Sequence, residues 1–196
     1  IHTITASKVF NVKPEEVTPE LRRRAKAVNF GIVYGISEYG LAKNINSSSK
    51  EAKEYIQMYL EKYSKIADFM KDIVDKSKRL GYVSTIFGRR RYIKEFQSKN
   101  KNIIKFGERV AMNTPIQGSA ADIIKLAMNR IYNRLKENNL KSKLIMQVHD
   151  ELLIECPICE VDMASKILKE EMENVIKLSV PLTVDLNVGK NWYEAK

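Results

Sequence analysis

The feature that most constrains this chain is a helix whose start and stop both carry sequence signals. Thr18 suits an N-cap, Pro19 suits the first helical position, and Gly35 is a natural stop after Tyr34. Within the segment, Gly31 lowers helix propensity and lets another group approach the backbone closely. The residues therefore predict a helix from Pro19 to about Tyr34.

Four side chains repeat along this helix at intervals of four: Arg22, Lys26, Phe30 and Tyr34. A step of four turns the position by only about 40°, so the four share one stripe roughly 18 Å long. The stripe is cationic at one end and aromatic at the other, which matches the phosphates and the flat sugar and base of a nucleoside triphosphate. The alternative is an ordinary amphipathic helix with solvated basic residues and aromatic residues in the core.

An excess of positive charge favours a polyanionic partner. The chain has 34 Lys and Arg against 24 Asp and Glu, a formal net charge of +10 over 196 residues, and nucleic acid is the commonest partner of such a field. The basic residues do not gather on one short amphipathic helix, and no apolar run could cross a bilayer. We therefore expect no membrane partner.

A C-x-x-C pair, Cys156 and Cys159, has a spacing that can serve zinc or a redox couple. A structural zinc site needs four ligands, and the other Cys or His residues are only His2 and His149. We expect reduced thiols in a cytoplasmic protein.

Helical patterns dominate the first two-thirds of the chain. Pro115 is expected to kink the last and longest of them, because proline has no N–H to donate. A short strand or hairpin arm is predicted between two glycines. The predicted helices are Ser37–Ile45, about Lys50–Tyr63, Ser64–Leu80 and Lys99–Asn138 (interrupted at Thr114-Pro115), and the predicted strand is Gly81–Gly88.

Two polar clusters in this region have open interpretations. Arg89–Arg91 lies between Phe87 and Tyr92, and it is either a solvated turn or a contact for phosphates. The second cluster steps by four along the long helix and is either a polar outer face or a set of side chains that hydrogen-bond base edges or sugars. Its members are Arg109, Asn113 and Gln117.

The last third of the chain predicts a β-hairpin. The strands Leu144–Val148 and Leu152–Cys156 flank a polar tip, His149-Asp150-Glu151. Adjacent carboxylates repel unless a cation neutralises them, and Mg²⁺ is usually held by one or two carboxylates together with substrate phosphates. The alternative is an exposed acidic turn without a ligand, although the apolar strands on both sides argue against an exposed position.

A helix from about Cys159 to Leu178 and a final strand, Leu182–Val188, complete the prediction. Helices and an antiparallel sheet are then segregated along the chain, which is an α+β arrangement.

Taken together, these residues resemble the family A DNA polymerases, the bacterial DNA polymerase I type. The resemblance covers essentially the whole chain and rests first on Arg22-x3-Lys26-x7-Tyr34-Gly35, similar to motif B, and Gln147-Val148-His149-Asp150-Glu151, similar to motif C. It extends to Ile1-His2-Thr3, Gly88-Arg89-Arg90-Arg91-Tyr92, Asn113-x-Pro115-x-Gln117-Gly118 and Gly189-x-x-Trp192.

The resemblance implies a division into fingers, residues 1–95, and part of the palm, residues 96–196. It implies bacterial origin, primer–template DNA and deoxynucleoside triphosphates as partners, and the remainder of a polymerase chain. His2, Arg22 and Lys26 match residues that bind the incoming triphosphate, Phe30 packs on its sugar, and Tyr34 occupies the template-base position. Residues that contact DNA are matched by Tyr34, Arg109, Asn113, Gln117 and His149.

The implied mechanism is two-metal nucleotidyl transfer, with Asp150 as a metal-binding carboxylate and Glu151 beside it. A primer 3′-hydroxyl attacks the α-phosphate and pyrophosphate leaves, with Lys26 able to act as general acid. The family's other metal-binding aspartate lies in motif A, upstream of the segment that matches Ile1. We therefore expect a fragment of a polymerase that is inactive by itself.

Two other functions fit parts of the pattern. A phage-type single-subunit RNA polymerase shares the motif B spacing and a His-Asp in motif C, although Glu151 and the series from Arg109 to Gln117 favour the DNA enzyme. A non-catalytic DNA-binding module that retains the polymerase surface is the second alternative.

Overall fold

The computed structural model describes residues 2–195; Ile1, where the family resemblance starts, and Lys196, where the predicted palm ends, lie outside the described residues. Helices predominate along this part of the chain, and three short 3-10 turns link some of them. The helices are α1 His2–Phe10, α2 Pro19–Val33, α3 Glu38–Ile45, α4 Ser49–Lys62, α5 Ser64–Leu80, α6 Lys101–Glu137 and α7 Val161–Glu173, and the strands are β1 Tyr82–Ser84, β2 Arg90–Tyr92, β3 Lys143–Val148 and β4 Glu151–Glu155. The α+β prediction is confirmed.

The chain divides into two compact units, one ending at Gly118 and the other beginning at Ser119, within α6. In the first unit, α2, α3 and α4 share an apolar core, and a smaller core joins the β1–β2 hairpin to the first half of α6. Burial of these side chains is what holds the short helices in place. The two cores consist of Val28, Ile32, Leu41, Ala42, Ile45, Ala52 and Tyr59, and of Val83, Ile93, Val110 and Ala111.

The ends of α2 follow the predicted signals. The Thr18 hydroxyl accepts a hydrogen bond from the backbone N–H of Leu21 at 3.2 Å, and Gly35 follows the helix with φ +71°. Ser48 and Glu51 form a reciprocal capping box at the start of α4. The predicted helices in the first 80 residues are confirmed to within one or two residues at their ends.

The first sheet is smaller than predicted. β1 covers only three residues of the predicted arm and pairs antiparallel with β2, so that Tyr82 lies opposite Tyr92. Two of the three consecutive arginines therefore belong to a strand, whereas only Arg89 lies in the connection between strands.

The predicted interruption at Pro115 is wrong, because α6 continues through it. Proline removes one backbone hydrogen-bond donor. Its low helix propensity is outweighed when the helix residues before and after it are packed in a core. Val110 and Ala111 pack in the first unit, and Ile124 packs in the second. The Thr114 hydroxyl also donates a 2.7 Å hydrogen bond to the Val110 carbonyl within this turn.

In the second unit, the β3–β4 hairpin and α7 pack against the second half of α6. Val148 pairs with Glu151, so the turn itself holds only His149 and Asp150. Glu151 therefore begins β4, whereas the prediction placed it at the polar tip. The core is formed by Ile124, Ala127, Ile131, Leu135, Leu152, Ala164, Ile167 and Val175.

The predicted final strand, Leu182–Val188, is wrong. A strand needs a neighbour to complete its hydrogen-bond ladder, and the structure assigns no strand to this segment. The backbone N–H of Val184 donates instead to the Glu173 carboxylate at 3.0 Å. The preceding helix, α7, ends at Glu173, whereas the sequence predicts a helix that continues to Leu178.

One carboxylate fastens the start of β3 to the segment before α7. Glu160 accepts hydrogen bonds from the backbone N–H groups of Lys141, at 3.0 Å, and Ser142, at 2.9 Å, and from the Ser142 hydroxyl at 2.6 Å. These bonds, the Ser142 hydroxyl first and then the Lys141 N–H, hold the pKa of Glu160 below its ordinary value.

Because the folded-state pKa of Glu160 is lowered, its stabilising contribution is present above the ordinary glutamate pKa and is lost as the pH falls through the lowered value. We expect Glu160→Gln to speed amide hydrogen exchange at Lys141 and Ser142 at neutral pH. The difference from the unaltered protein should shrink in acid. Glu155→Gln removes an exposed acid whose side chain makes no described hydrogen bond, and it should leave both amides unchanged; equal effects of the two variants would contradict this role.

Candidate functional site

The stripe predicted on α2 is exposed along its whole length. Phe30 is 46% and Tyr34 39% exposed, and Arg22 and Lys26 are also exposed. The opposite face of the helix, formed by Ala25, Val28 and Ile32, is buried in the core. The alternative of an ordinary amphipathic helix is therefore right about the solvated basic residues and wrong about the aromatic residues, which it places in the core.

The aromatic end of the stripe is extended by a residue from α1. The rings of Phe30 and Tyr34 stack with 6.3 Å between centroids and 18° between planes. The imidazole of His2 also lies near Phe30, with 5.7 Å between ring centroids and 51° between planes. The exposed rings of Phe30 and Tyr34 offer faces for stacking a base or packing a sugar.

The charges of the stripe are available to a ligand. Arg23 and Arg24 pair with Glu20, at 2.9 and 3.1 Å. Among the described residues, neither Arg22 nor Lys26 forms an ion pair with an acid. Two unneutralised cations beside exposed aromatic rings suit an anion such as a phosphate chain.

A pocket of about 810 Å³ opens beside the aromatic half of the stripe. Volumes of this order accommodate cofactor-sized ligands. The pocket brings the nucleotide candidates Lys26, Phe30 and Tyr34 together with Arg109, a DNA candidate from α6. Arg23, Ala27, Gly31, Gly35, Ile36, Ser37 and Asn44 complete the lining.

Two glycines allow the close packing that shapes this pocket. A Cβ on Gly31 would lie 2.9 Å from Cγ2 of Ile36, so this is the close approach that the sequence predicts. A Cβ on Gly35 would lie 2.5 Å from Cε of Met112 and 3.1 Å from Cγ of Arg109. The turn that follows α2 therefore packs against α6 at Gly35.

Gly35→Ala should destabilise the protein by about 2 kcal/mol, because alanine disfavours positive φ and its Cβ would crowd Cγ of Arg109, while the flexible end of Met112 can move aside. Gly88→Ala is the matched control: Gly88 has φ +82° and nothing within 4 Å of the added Cβ. The control should cost about 1 kcal/mol, from the backbone alone. Thermal unfolding measures both, and equal losses would show that the contact with α6 contributes nothing.

The other DNA candidates of α6 differ in their surroundings. Arg109 lies with its guanidinium 5.7 Å from the Phe106 ring centroid. Asn113 is partly buried, and its side-chain oxygen has no hydrogen-bond partner in the described part of the chain. Gln117 is exposed. Because α6 is continuous, their spacing of four places all three on one stripe of the helix.

The three consecutive arginines have different contacts. Arg89 donates from Nη2 to the Gly118 carbonyl at 3.1 Å, which fastens the hairpin to α6. Arg90 places its guanidinium 4.6 Å from the Tyr82 ring centroid. Arg91 is exposed. Neither a solvated turn nor a uniform phosphate contact describes this segment completely.

The remaining candidates lie in the other compact unit, at the tip of the β3–β4 hairpin. His149, Asp150 and Glu151 are all exposed, contrary to the expectation from the apolar strands. His149 has φ +54°, and the Gln147 amide donates to its carbonyl at 3.0 Å. The turn therefore presents the Asp150 carboxylate to solvent from a hydrogen-bonded loop.

Within residues 2–195, no three His, Cys, Asp or Glu side chains gather closely enough to hold a metal ion. The oxygen donors of Asp150 and Glu151 nevertheless suit Mg²⁺, which commonly takes one or two carboxylates and completes its shell with water and phosphates. Cys156 and Cys159 are free thiols, and burial raises the pKa of Cys156. None of the described helices is both long and apolar enough to span a membrane.

Sequence reasoning did not predict the partners that support these candidates. Asn29 contacts His2, Met112 packs on Gly35, and Gln147 braces the acidic turn. Asn29 and Gln147 lie within the segments that resemble motifs B and C, and this position was the signal that could have identified them. No sequence signal indicates Met112, because its contact with Gly35 joins distant parts of the sequence.

A cationic and aromatic stripe and an exposed acidic hairpin both suit an enzyme that acts on nucleic acid. The family model described as DNA polymerase family A matches residues 1–194. The chain belongs to DNA polymerase family A.

Similar proteins include DNA polymerase I of Caldicellulosiruptor bescii, 57% identical over 196 residues, and that of Bacillus subtilis, 54% identical over the same length. The whole chain aligns with each, yet it spans only 23% and 22% of their lengths. Among solved structures, the POL domain of Pol1 from M. smegmatis, in complex with a DNA primer-template and dNTP, is similar with a TM-score of 0.93 and 44% identity. The match covers 99% of this chain and 34% of that one.

Proposed function

We propose that this chain is the part of a template-directed DNA polymerase that binds the incoming deoxynucleotide and adds it to a primer 3′ end. The observation that carries the proposal is the pocket in which Lys26, Phe30, Tyr34 and Arg109 meet. It combines phosphate-binding cations with stacking surface in a chain of DNA polymerase family A. The similar Pol1 domain is in complex with a DNA primer-template and dNTP, which supports the same partners here.

In this proposal the triphosphate lies along α2 with its phosphates at the cationic end. Arg22 and Lys26 neutralise the charge that develops on the departing pyrophosphate, and Lys26 donates it a proton. His2 donates a hydrogen bond to the same phosphates. Phe30 packs on the sugar, and Tyr34 occupies the position beside the template base.

Asp150 would hold Mg²⁺ with Glu151 beside it, as the metal-binding carboxylates of a two-metal site whose other main ligand comes from elsewhere in the longer protein. Members of this family generally use Mg²⁺. When bound, the metal supplies charge neutralisation at the phosphates and lowers the pKa of the attacking 3′-hydroxyl. The exposed tip and its oxygen donors support this assignment.

Primer–template DNA is contacted by Tyr34, Arg109, Asn113, Gln117 and His149. The unpartnered side-chain oxygen of Asn113 supports the assignment, because a buried polar atom without a partner is costly unless a ligand satisfies it. We assign the fingers to residues 1–95 and part of the palm to residues 96–196. The protein then acts in bacterial DNA replication or repair, in the cytoplasm.

Primer extension by the full-length protein, with magnesium and a primed DNA template, tests the proposal against its alternatives. The proposal predicts templated incorporation of deoxynucleotides and strong rejection of ribonucleotides. Preference for ribonucleotides would identify a phage-type RNA polymerase, and DNA binding without synthesis would identify a non-catalytic module. Either outcome would overturn the proposal.

Phe30→Tyr tests the position of the sugar. A phenol hydroxyl near the sugar can replace the hydrogen bond that a dideoxynucleotide lacks, so discrimination against dideoxynucleotides should fall by about tenfold or more. Competitive incorporation of dideoxy- and deoxynucleotides measures the ratio. Tyr34→Phe is the control, because it removes a hydroxyl at the base end; a larger effect there, or an unchanged ratio in Phe30→Tyr, would place the sugar elsewhere.

A further inference from the structure

A hydrogen bond joins α1 to α2 beside the stripe. The side-chain amide nitrogen of Asn29 lies 3.0 Å from Nδ1 of His2, across 27 residues of sequence, in a half-buried position. Asn29 lies three residues after Lys26, so the two side chains are neighbours on the helix surface. The bond thus fixes the imidazole next to the cations and against Phe30.

The direction of this hydrogen bond determines where the imidazole proton lies. An amide N–H can only donate, so Nδ1 of His2 must accept and be unprotonated. In a neutral imidazole the single proton is then on Nε2. Without this partner both tautomers would be accessible, and only one of them has a donor at Nε2.

The surroundings of His2 favour the neutral ring, which makes the choice of tautomer matter. Burial lowers the pKa of His2, and the positive charges near it, which include Arg22 and Lys26, lower it further. A charged imidazolium would have two N–H donors whatever its orientation. A neutral ring has one, so its position decides whether His2 can donate to an anion.

We infer that Asn29 is a positioning residue that holds His2 in the Nε2–H tautomer, with this N–H available to the phosphates of the incoming nucleotide. The inference rests on the proposed function, because it takes the nucleotide as the ligand of the stripe. Asn29 itself touches no substrate in this account and acts only through His2. Residues that orient a ligand-binding histidine in this way commonly matter almost as much as the histidine.

A double-mutant cycle in the full-length polymerase tests the inference. Asn29→Leu removes the donor while keeping the volume, and Asn29→Ala is a second variant in case leucine disturbs the fold. His2→Ala should raise the KM for the deoxynucleotide about tenfold and either Asn29 variant about fivefold, with kcat changed much less. Combined with His2→Ala, the Asn29 substitution should add no further loss.

Additive losses in the double variant would overturn the inference, because Asn29 would then act independently of His2. An effect of His2→Ala with no effect of either Asn29 variant would overturn it as well, and the proposed function would stand in both cases. An unchanged KM in His2→Ala would remove both the inference and the phosphate role of His2. Lys26→Ala measured alongside separates that result from failure of the whole nucleotide site.

Discussion

Asp150→Ala in the full-length protein should lower the rate of templated synthesis by a factor of about a thousand or more, while DNA binding is retained. The carboxylate is the exposed acid at the tip of the β3–β4 hairpin, where it lies in the turn itself. In the proposed function Asp150 helps to stabilise charge at the reacting phosphates, so its loss should act on the transition state and lower kcat far more than affinity for DNA. Single-turnover primer extension measures the loss.

Glu155→Ala is the matched control for this substitution. Glu155 is another exposed acid of the same hairpin, opposite Lys143 at the end away from the turn. It should leave synthesis within about twofold, as surface substitutions generally do. Unchanged synthesis in Asp150→Ala would remove this residue from the mechanism, and equal losses in the two variants would indicate a general defect of the hairpin.

Lys26→Ala should lower the rate of incorporation by about a hundredfold, which corresponds to about 2.7 kcal/mol of transition-state stabilisation. Lys26 is exposed, forms no ion pair among the described residues and lines the pocket with Phe30 and Tyr34. Its charge is therefore free to act on the departing phosphates. Rapid-quench kinetics at saturating deoxynucleotide measure the effect.

Arg24→Ala is the control for charge alone. It removes one positive charge from the same helix, but Arg24 is paired with Glu20 and does not line the pocket. Exposed pairs of this kind contribute little, so the rate should change by about twofold or less. A similar loss in both variants would show that the general field of the protein, rather than Lys26, supports the reaction.

The positions of α2 to α5 were predictable because their signals are local. Thr18 and Ser48 cap the helices that follow them, and Gly35 terminates α2. The stripe was also predictable, because a spacing of four places side chains on one face of any helix. The exposure of the stripe was not predictable, because it depends on which face of α2 packs against the other helices.

The errors arose where distant contacts override local preference. Pro115 is a helix breaker by propensity, yet buried residues on both sides keep α6 continuous. Residues 182–188 alternate between apolar and polar as a strand does, yet a strand also requires a partner. The Asn29–His2 bond spans 27 residues, so no local pattern could have indicated it.

The most direct test of the central claim is the structure of the full-length protein bound to primer–template DNA and a non-hydrolysable deoxynucleoside triphosphate. We predict phosphate oxygens within about 3 Å of Nζ of Lys26 and of the Arg22 guanidinium, as charge-assisted hydrogen bonds require, with the sugar against Phe30. A nucleotide bound elsewhere, with the stripe of α2 empty, would contradict the account.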